Sequence, residues 1–222
     1  MTRDRESASE APASAFAGVP MPPGEDLVAE GGMLVPGLVL DAYRHGIFPW
    51  YEADDPWLWW SPDPRGILPL DAVHVPRRLE RTMASGRFRV TRDEVFEAVM
   101  RACDEDRPDG TWIHPAMVEC YVALHEAGHA HSLEVWEGDV LAGGIYGVAF
   151  GGGFAAESKF HRVRDASKVA LVALARHLLA QGFELLDVQF VTPHLGRFGC
   201  VEIPRDDYLA RVRAVRDLPV RF

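Results

Sequence analysis

The sequence predicts an α+β or mixed α/β fold, and three observations carry that prediction. Strand-like segments follow one another at residues 131–136, 140–150 and 154–160. Segments with helical periodicity flank them, at 115–127 before and 166–181 after. A further apolar run, Leu185 to Phe190, follows the second helix, so strands and helices mix within one unit.

Taken in order, residues 1–24 are polar and rich in Ala, Ser and Pro, with no apolar stretch of the kind a secretory leader needs. This composition predicts a flexible tail. A helix is expected at 36–45, with Pro36 near its first position and Gly46 as its stop. The stretch GIFPWYEADDPWLWWSPDPRG (46–66) is dense in Pro, Asp and Trp and predicts a loop with a short strand at 57–60. A small N-terminal domain is expected over residues 25–63 and a larger domain over 64–222. Helices are expected at 92–104 and 115–127, the latter on the spacing of Met117, Val118, Tyr121, Val122 and Leu124. HSLEVW (131–136) alternates as a strand, Gly138-Asp139 makes a turn, and VLAGGIYGVAF (140–150) reads as a buried strand whose glycines admit a close neighbour. Asp165 is the expected N-cap of an amphipathic helix closed by Gly182. A last helix follows Pro204.

Composition narrows the function. No apolar run reaches the ~20 residues of a membrane span. Three cysteines, far apart and with no C-x-x-C, argue against a disulfide framework or a thiolate zinc site and favour a reducing cytoplasm. A net charge of −10 excludes a protein that coats nucleic acid with its whole surface. A local basic run remains: arginines 77, 78, 81, 87, 89 and 92 stand against the single acid Glu80. In isolation such a run reads as a solvated helix face.

His125 to His129 spells HEAGH, the H-E-x-x-H signature of zinc peptidases. That motif needs both imidazoles on one continuous helix. Gly128 is a helix stop, and a strand begins by His131, so His129 is expected outside the helix and no metal is expected.

Several stretches together resemble one family, the leucyl/phenylalanyl-tRNA–protein transferases. They are EGGMLVPGLVLDAYRHGIFPW (30–50), LWWSPDPRGIL (58–68), GTWI (110–113), LHEAGHAHSLEVW (124–136), LAGGIYGVAFGGGFAAES (141–158), DASKVALVALARHL (165–178), LLDVQF (185–190) and EIPRDDYL (202–209). The resemblance runs from about residue 25 to the end. It implies a small N-terminal domain followed by an acetyltransferase-like (GNAT-like) domain. It also implies transfer of Leu or Phe, less readily Met, from charged tRNA to proteins that begin with Arg or Lys, marking them for degradation. No cofactor, a cytoplasmic location and a monomer are implied as well.

On this resemblance Asp187 and Gln189 match a catalytic Asp-x-Gln pair, in which Asp polarises Gln and Gln either helps take a proton from the attacking amine or positions it by hydrogen bonds; two apart on a strand, they share a face. Without the resemblance they read as a strand-end cap and a satisfied polar group. Glu157 matches a carboxylate that receives the acceptor's Arg or Lys side chain or its ammonium, where the alternative is an ordinary surface salt bridge. Trp50, Trp112 and Phe154 match aromatics of an aminoacyl-adenosine pocket, where the alternative is core packing. Gly144, with Gly143 and Gly147, leaves room for the donor side chain or ribose. Arg77, Arg78 and Arg81 become the track for acceptor-stem phosphates. Two departures stand out. Lys159 replaces the usual Met, and either pairs with Glu157 or faces away. Thr192 to Gly199 (TPHLGRFG) lacks the usual Asn and Ser, which bears on contacts with the donor adenosine. Three alternatives remain: a CoA-dependent N-acyltransferase, although no glycine-rich pyrophosphate loop is present; a tRNA-binding protein without catalysis; and the zinc peptidase.

Overall fold

The computed structural model describes residues 14–51, 55–105 and 112–222. The expected tail at 1–13, the loop at 52–54 and the first half of GTWI lie outside them.

The N-terminal part holds β1 (Leu27–Glu30), α1 (Pro36–Arg44), β2 (Phe48–Pro49) and β3 (Leu58–Trp60), with the strands in the order β1-β3-β2. Val39, Ala42 and Tyr43 form the buried stripe of α1, a spacing of three and four. Residues 14–24 are not a free tail. Phe16 is buried against Trp59, ring centroids 5.0 Å apart. The buried Arg205 guanidinium donates to the carbonyls of Met21, Pro22, Glu25 and Ser61, so one side chain supplies the partners this irregular segment lacks.

The larger part continues with β4 (Arg65–Ile67), α2 (Arg77–Ala84), β5 (Arg89–Arg92), α3 (Phe96–Ala102), α4 (Pro115–Glu126), β6 (Ala130–Glu137), β7 (Val140–Phe150) and β8 (Gly153–His161). It ends with α5 (Ala166–Gln181), β9 (Leu185–Gln189), α6 (Pro193–Gly196), β10 (Val201–Ile203) and α7 (Arg205–Val215). Seven strands form one sheet in the order β10-β4-β9-β8-β7-β6-β5. Every neighbouring pair is antiparallel except β8 and β9, which are parallel and joined by the α5 crossover. One apolar cluster lies with α1, α3 and α4, and a second with α5. The mixed α/β class is the one expected from sequence.

Three local expectations change. The helix expected at 92–104 begins only at Phe96, because Arg89–Arg92 pairs with Leu133–Trp136 as an edge strand. Asp93 then turns the chain at φ 57°, its carboxylate accepting the Ser132 N–H at 2.8 Å. Asp165 is not the side-chain cap of α5: it sits at φ 73°, and its carboxylate binds Lys168 Nζ at 2.6 Å. The helix itself is less amphipathic than expected; Val169 to Val172, Leu174, Ala175 and Leu178 are all buried, as befits a helix covered on several sides.

HEAGH resolves as its glycine predicts. Gly128 takes φ 78°, its N–H bonds to His125 O, and the His129 N–H bonds to Leu124 O, the two-bond cap that ends α4. His129 therefore leaves the helix and the i, i+4 pair is broken. His125 instead meets His131 and Asp93, with atoms of ligand type within 4.8 Å of one another. The nitrogens nearest the carboxylate are already engaged, His125 Nδ1 with Ala130 O and His131 Nδ1 with Asp93 Oδ2, both at 2.8 Å. Burial favours the neutral acid at Asp93, but the bonds from His131 and Ser132 outweigh it and hold its pKa below the ordinary value. This is a hydrogen-bonded knot that fixes β5, α4 and β6 to one another.

Candidate active site

The site forms where β8 and β9 part. They pair only over Gly153–Ala155 with Leu185–Asp187. Past that point β8 pairs with β7 alone, and its register slips: Gly147 faces Ala156 but Tyr146 faces Ser158. Glu157 is the extra residue of this bulge, the device that re-aims a side chain at the end of a ladder. Across the opening, Gln189 ends β9 at φ 56°, an uncommon conformation for a side-chain-bearing residue. Gly66 of β4 lets this happen. A Cβ there would lie 2.9 Å from the Phe190 carbonyl carbon and 3.1 Å from the Val191 nitrogen, so only glycine admits the turning chain.

Glu157 and Gln189 span the gap, Gln189 Nε2 donating to Glu157 Oε1 at 3.0 Å. This geometry leaves the Gln189 amide oxygen to accept from another donor. Asp187 does not contact the Gln189 side chain. It accepts the Gln189 main-chain N–H at 2.9 Å, which corrects the expected side-chain relay: strand alternation puts the two residues on one face, but the positive φ swings Gln189 away. The Asp187 carboxylate is fully buried. It takes a two-pronged bond from Arg65 (Nε to Oδ1 2.8 Å, Nη2 to Oδ2 2.6 Å) and the Tyr208 hydroxyl at 2.9 Å. Arg65 donates also to Gly46 O, and its guanidinium lies 4.8 Å from the Phe48 ring and 4.4 Å from that of Tyr208. Burial alone would favour neutral Arg65; Asp187 beside it more than compensates and keeps it charged.

Tyr43 and Tyr121 lie behind Glu157, their hydroxyls 2.6 Å apart, and both favour its ionised form. Burial pushes Glu157 up to about 8. The Tyr43 bond opposes the shift, Asp187 reinforces it, and Arg65 and Tyr121 oppose it. The folded value lies above the ordinary 4.5, so between these two values the folded chain holds a proton that the unfolded chain has released. Stability therefore falls as pH rises through this window. Glu157→Gln removes that slope. We expect the variant to gain on the parent progressively from pH 5 to pH 8 in denaturant unfolding; parallel pH curves would contradict the shift.

In front of the pair is a cavity of about 400 Å³. Ile145, Leu171, Val188 and Leu195 contribute apolar wall, while Trp50 and Phe190 flank it with more than 40% of their surface exposed. Trp50 also leans on Trp60, whose indole N–H bonds the Trp50 carbonyl at 2.6 Å. Trp112, Glu157, Gln189 and Thr192 line the same cavity, and Asp187 lies behind it.

Two expected residues are elsewhere. Phe154 is buried in the α5 cluster against Phe183 and Phe222, because it belongs to the stretch of β8 still paired with β9. A Cβ on Gly144 would meet Val99, Phe160 and Leu133 at 3.0 Å, so this glycine serves the packing of α3 on the sheet and not the cavity. Thr192 lines the cavity and caps α6, its Oγ1 accepting the Leu195 N–H. Lys159, two residues beyond Glu157, is on the cavity wall with it and does not face away. Arg77, Arg78 and Arg81 are exposed on α2. Arg65, Phe190, Tyr43 and Tyr121 were not singled out from sequence. For Arg65 the available signal was a charge within a short apolar strand; the tyrosines read as ordinary helical core.

The family model described as "Leucyl/phenylalanyl-tRNA protein transferase" matches residues 67–213, and that of the family's N-terminal domain matches 32–63.

The chain belongs to the leucyl/phenylalanyl-tRNA–protein transferase family.

It is 53% identical to the leucyl/phenylalanyl-tRNA–protein transferase of Nitratidesulfovibrio vulgaris (strain DP4) over 201 residues, 89% of this chain and 86% of that protein. The same-named protein of Anaeromyxobacter sp. (strain K) is 53% identical over 198 residues, 88% and 85% of the two chains. Similar solved structures include a GCN5-related N-acetyltransferase from Kribbella flavida, at 11% identity and a TM-score of 0.39, covering 75% of this chain and 60% of that one. The chain is thus a member of a family of aminoacyltransferases. Among the described residues no helix is long and apolar enough to cross a membrane.

Proposed function

We propose that this chain transfers Leu or Phe, and less readily Met, from charged tRNA to the α-amino group of proteins that begin with Arg or Lys, marking them for degradation. On this reading it works as a single chain in the cytoplasm. The observation that carries it is the Gln189–Glu157 pair set over a cavity with apolar walls and exposed aromatics. The apolar wall suits a Leu, Phe or Met side chain, and the aromatic flank suits the terminal adenine.

In this reading the acceptor amine attacks the ester carbonyl, the bond to the ribose oxygen breaks, and the tRNA leaves with a free hydroxyl. The donor ester is already activated, so positioning supplies much of the acceleration. The Gln189 amide oxygen accepts from the attacking amine, while its amide nitrogen is held by Glu157. Glu157, an acid in the empty site at neutral pH, ionises when the guanidinium or ammonium of the acceptor arrives beside it. That coupling favours basic first residues.

The test is transfer of labelled Leu or Phe from charged tRNA to a peptide beginning with Arg, beside peptides beginning with Asp and Ala, with and without EDTA. Label on the Arg peptide alone, indifferent to EDTA, supports the reading. Binding of charged tRNA without transfer points to a protein that has lost catalysis, and chelator-sensitive proteolysis would revive the peptidase. A second expectation concerns Trp50. Loss of one stacked base costs ~1–3 kcal/mol. Trp50→Ala therefore raises the KM for charged tRNA by about 5- to 150-fold with a smaller effect on kcat; an unchanged KM excludes stacking there.

A further inference from the structure

A second cleft, of about 120 Å³, adjoins the aminoacyl cavity. The two share the one-turn helix α6 as a wall: Thr192 and Leu195 face the first, His194 and Arg197 the second. Arg78 of α2 and Lys168 of α5 close the other side. The charges of Lys159, Lys168, Arg197 and His161 all bear on His194, which burial and these neighbours hold below its ordinary pKa. Asp165 is the acid in this cleft, and its carboxylate is bound to Lys168 Nζ at 2.6 Å. Arg78, Lys168 and Arg197 thus outnumber it three to one in a chain of net charge −10.

A donor whose terminal nucleoside occupies the first cavity must lead its next phosphodiesters out along a wall, and a single strand of RNA carries one charge per nucleotide. We propose that this basic cleft holds the backbone phosphates of the donor's single-stranded 3′ end, with Arg197, Lys168 and Arg78 as the contacts. It joins the aminoacyl cavity to the exposed arginines Arg77 and Arg81 on the same helix as Arg78. Leu79, beside Arg78, is buried and packs α2 against the α5 side of the sheet, which sets where the helix carries its arginines. The inference rests on the transferase reading and deepens it, since it names the route the RNA takes.

The experiment uses the full chain and two donors, the aminoacyl ester of adenosine, which has no phosphodiester, and whole charged tRNA. The variant is Lys168→Gln combined with Arg197→Gln; thermal melting verifies that it folds. The expected result is a loss of about tenfold or more in kcat/KM with charged tRNA, a change of less than about twofold with the nucleoside ester, and a salt slope flatter by about one. An equal loss with both donors, or no loss with tRNA, overturns the proposal. Should the parent use neither donor, the transferase reading fails. The cleft is then judged by anisotropy with a CCA-ending RNA oligonucleotide: equal affinity and equal salt slope for parent and variant overturn it, and weaker binding with a flatter slope in the variant upholds it.

Discussion

Arg65→Ala is expected to destabilise the protein by about 3–5 kcal/mol, because it strands a carboxylate that is fully buried. At roughly 2–4 °C per kcal/mol for a chain of this size, the melting temperature falls by about 6–20 °C. The Tyr208 hydroxyl and the Gln189 N–H remain on Asp187, but neither carries charge. Arg65→Lys keeps the charge but loses the two-pronged geometry and the flat contact with Phe48 and Tyr208, and lies between. Replacing Arg65 and Asp187 together by apolar residues recovers stability while leaving the turn at Gln189 without its anchor. Denaturant unfolding is the measurement. A stability within about 1 kcal/mol of the parent for Arg65→Ala would mean that Asp187 finds water or another partner.

The second large effect is on turnover. Gln189→Ala deletes both the amide oxygen left open to the acceptor and the nitrogen that holds Glu157. Removing a preorganised hydrogen-bonding group at a reacting centre costs about 10²–10³ in kcat. The donor KM stays within a few-fold, because the aromatic flank and the apolar wall are untouched. Gln189→Glu separates two roles. It sets a second carboxyl against Glu157, so the pair shares a proton and one member titrates higher still. If position 189 acts as a base, this variant keeps activity with a new pH dependence. If it positions the amine, the variant is as poor as alanine at every pH. A drop in kcat below about fivefold for Gln189→Ala would remove this residue from the chemistry.

Local physics was legible in the sequence. Pro36 and Gly46 bound α1, Gly182 closes α5, and Gly128 ends α4 in a turn that breaks H-E-x-x-H. These are one-residue conformational facts, set by a missing N–H or a missing Cβ. The resemblance named the family and four residues that meet around one cavity, Trp50, Trp112, Glu157 and Gln189; Thr192, where the chain departs from the family, lines it too. Misplacements arose where side-chain identity was read without its position along a strand. Phe154 lies three residues before Glu157, yet it belongs to the paired stretch of β8 and points into core.

The tertiary structure decided the rest. Arg65 and Asp187 are 122 residues apart, and only the pairing of β4 with β9 brings them together. The bulge at Glu157 exists because β8 must satisfy β7 after β9 has turned away, a competition between ladders that no single segment encodes. The edge strand at Arg89–Arg92 overrides a helical pattern because β6 offers it a row of partners. The glycine and proline ends of these helices depend on neighbours a few residues away, so the sequence alone determines them. Charges, bulges and cavities depend on which distant backbones share a ladder, and only the folded sheet decides that.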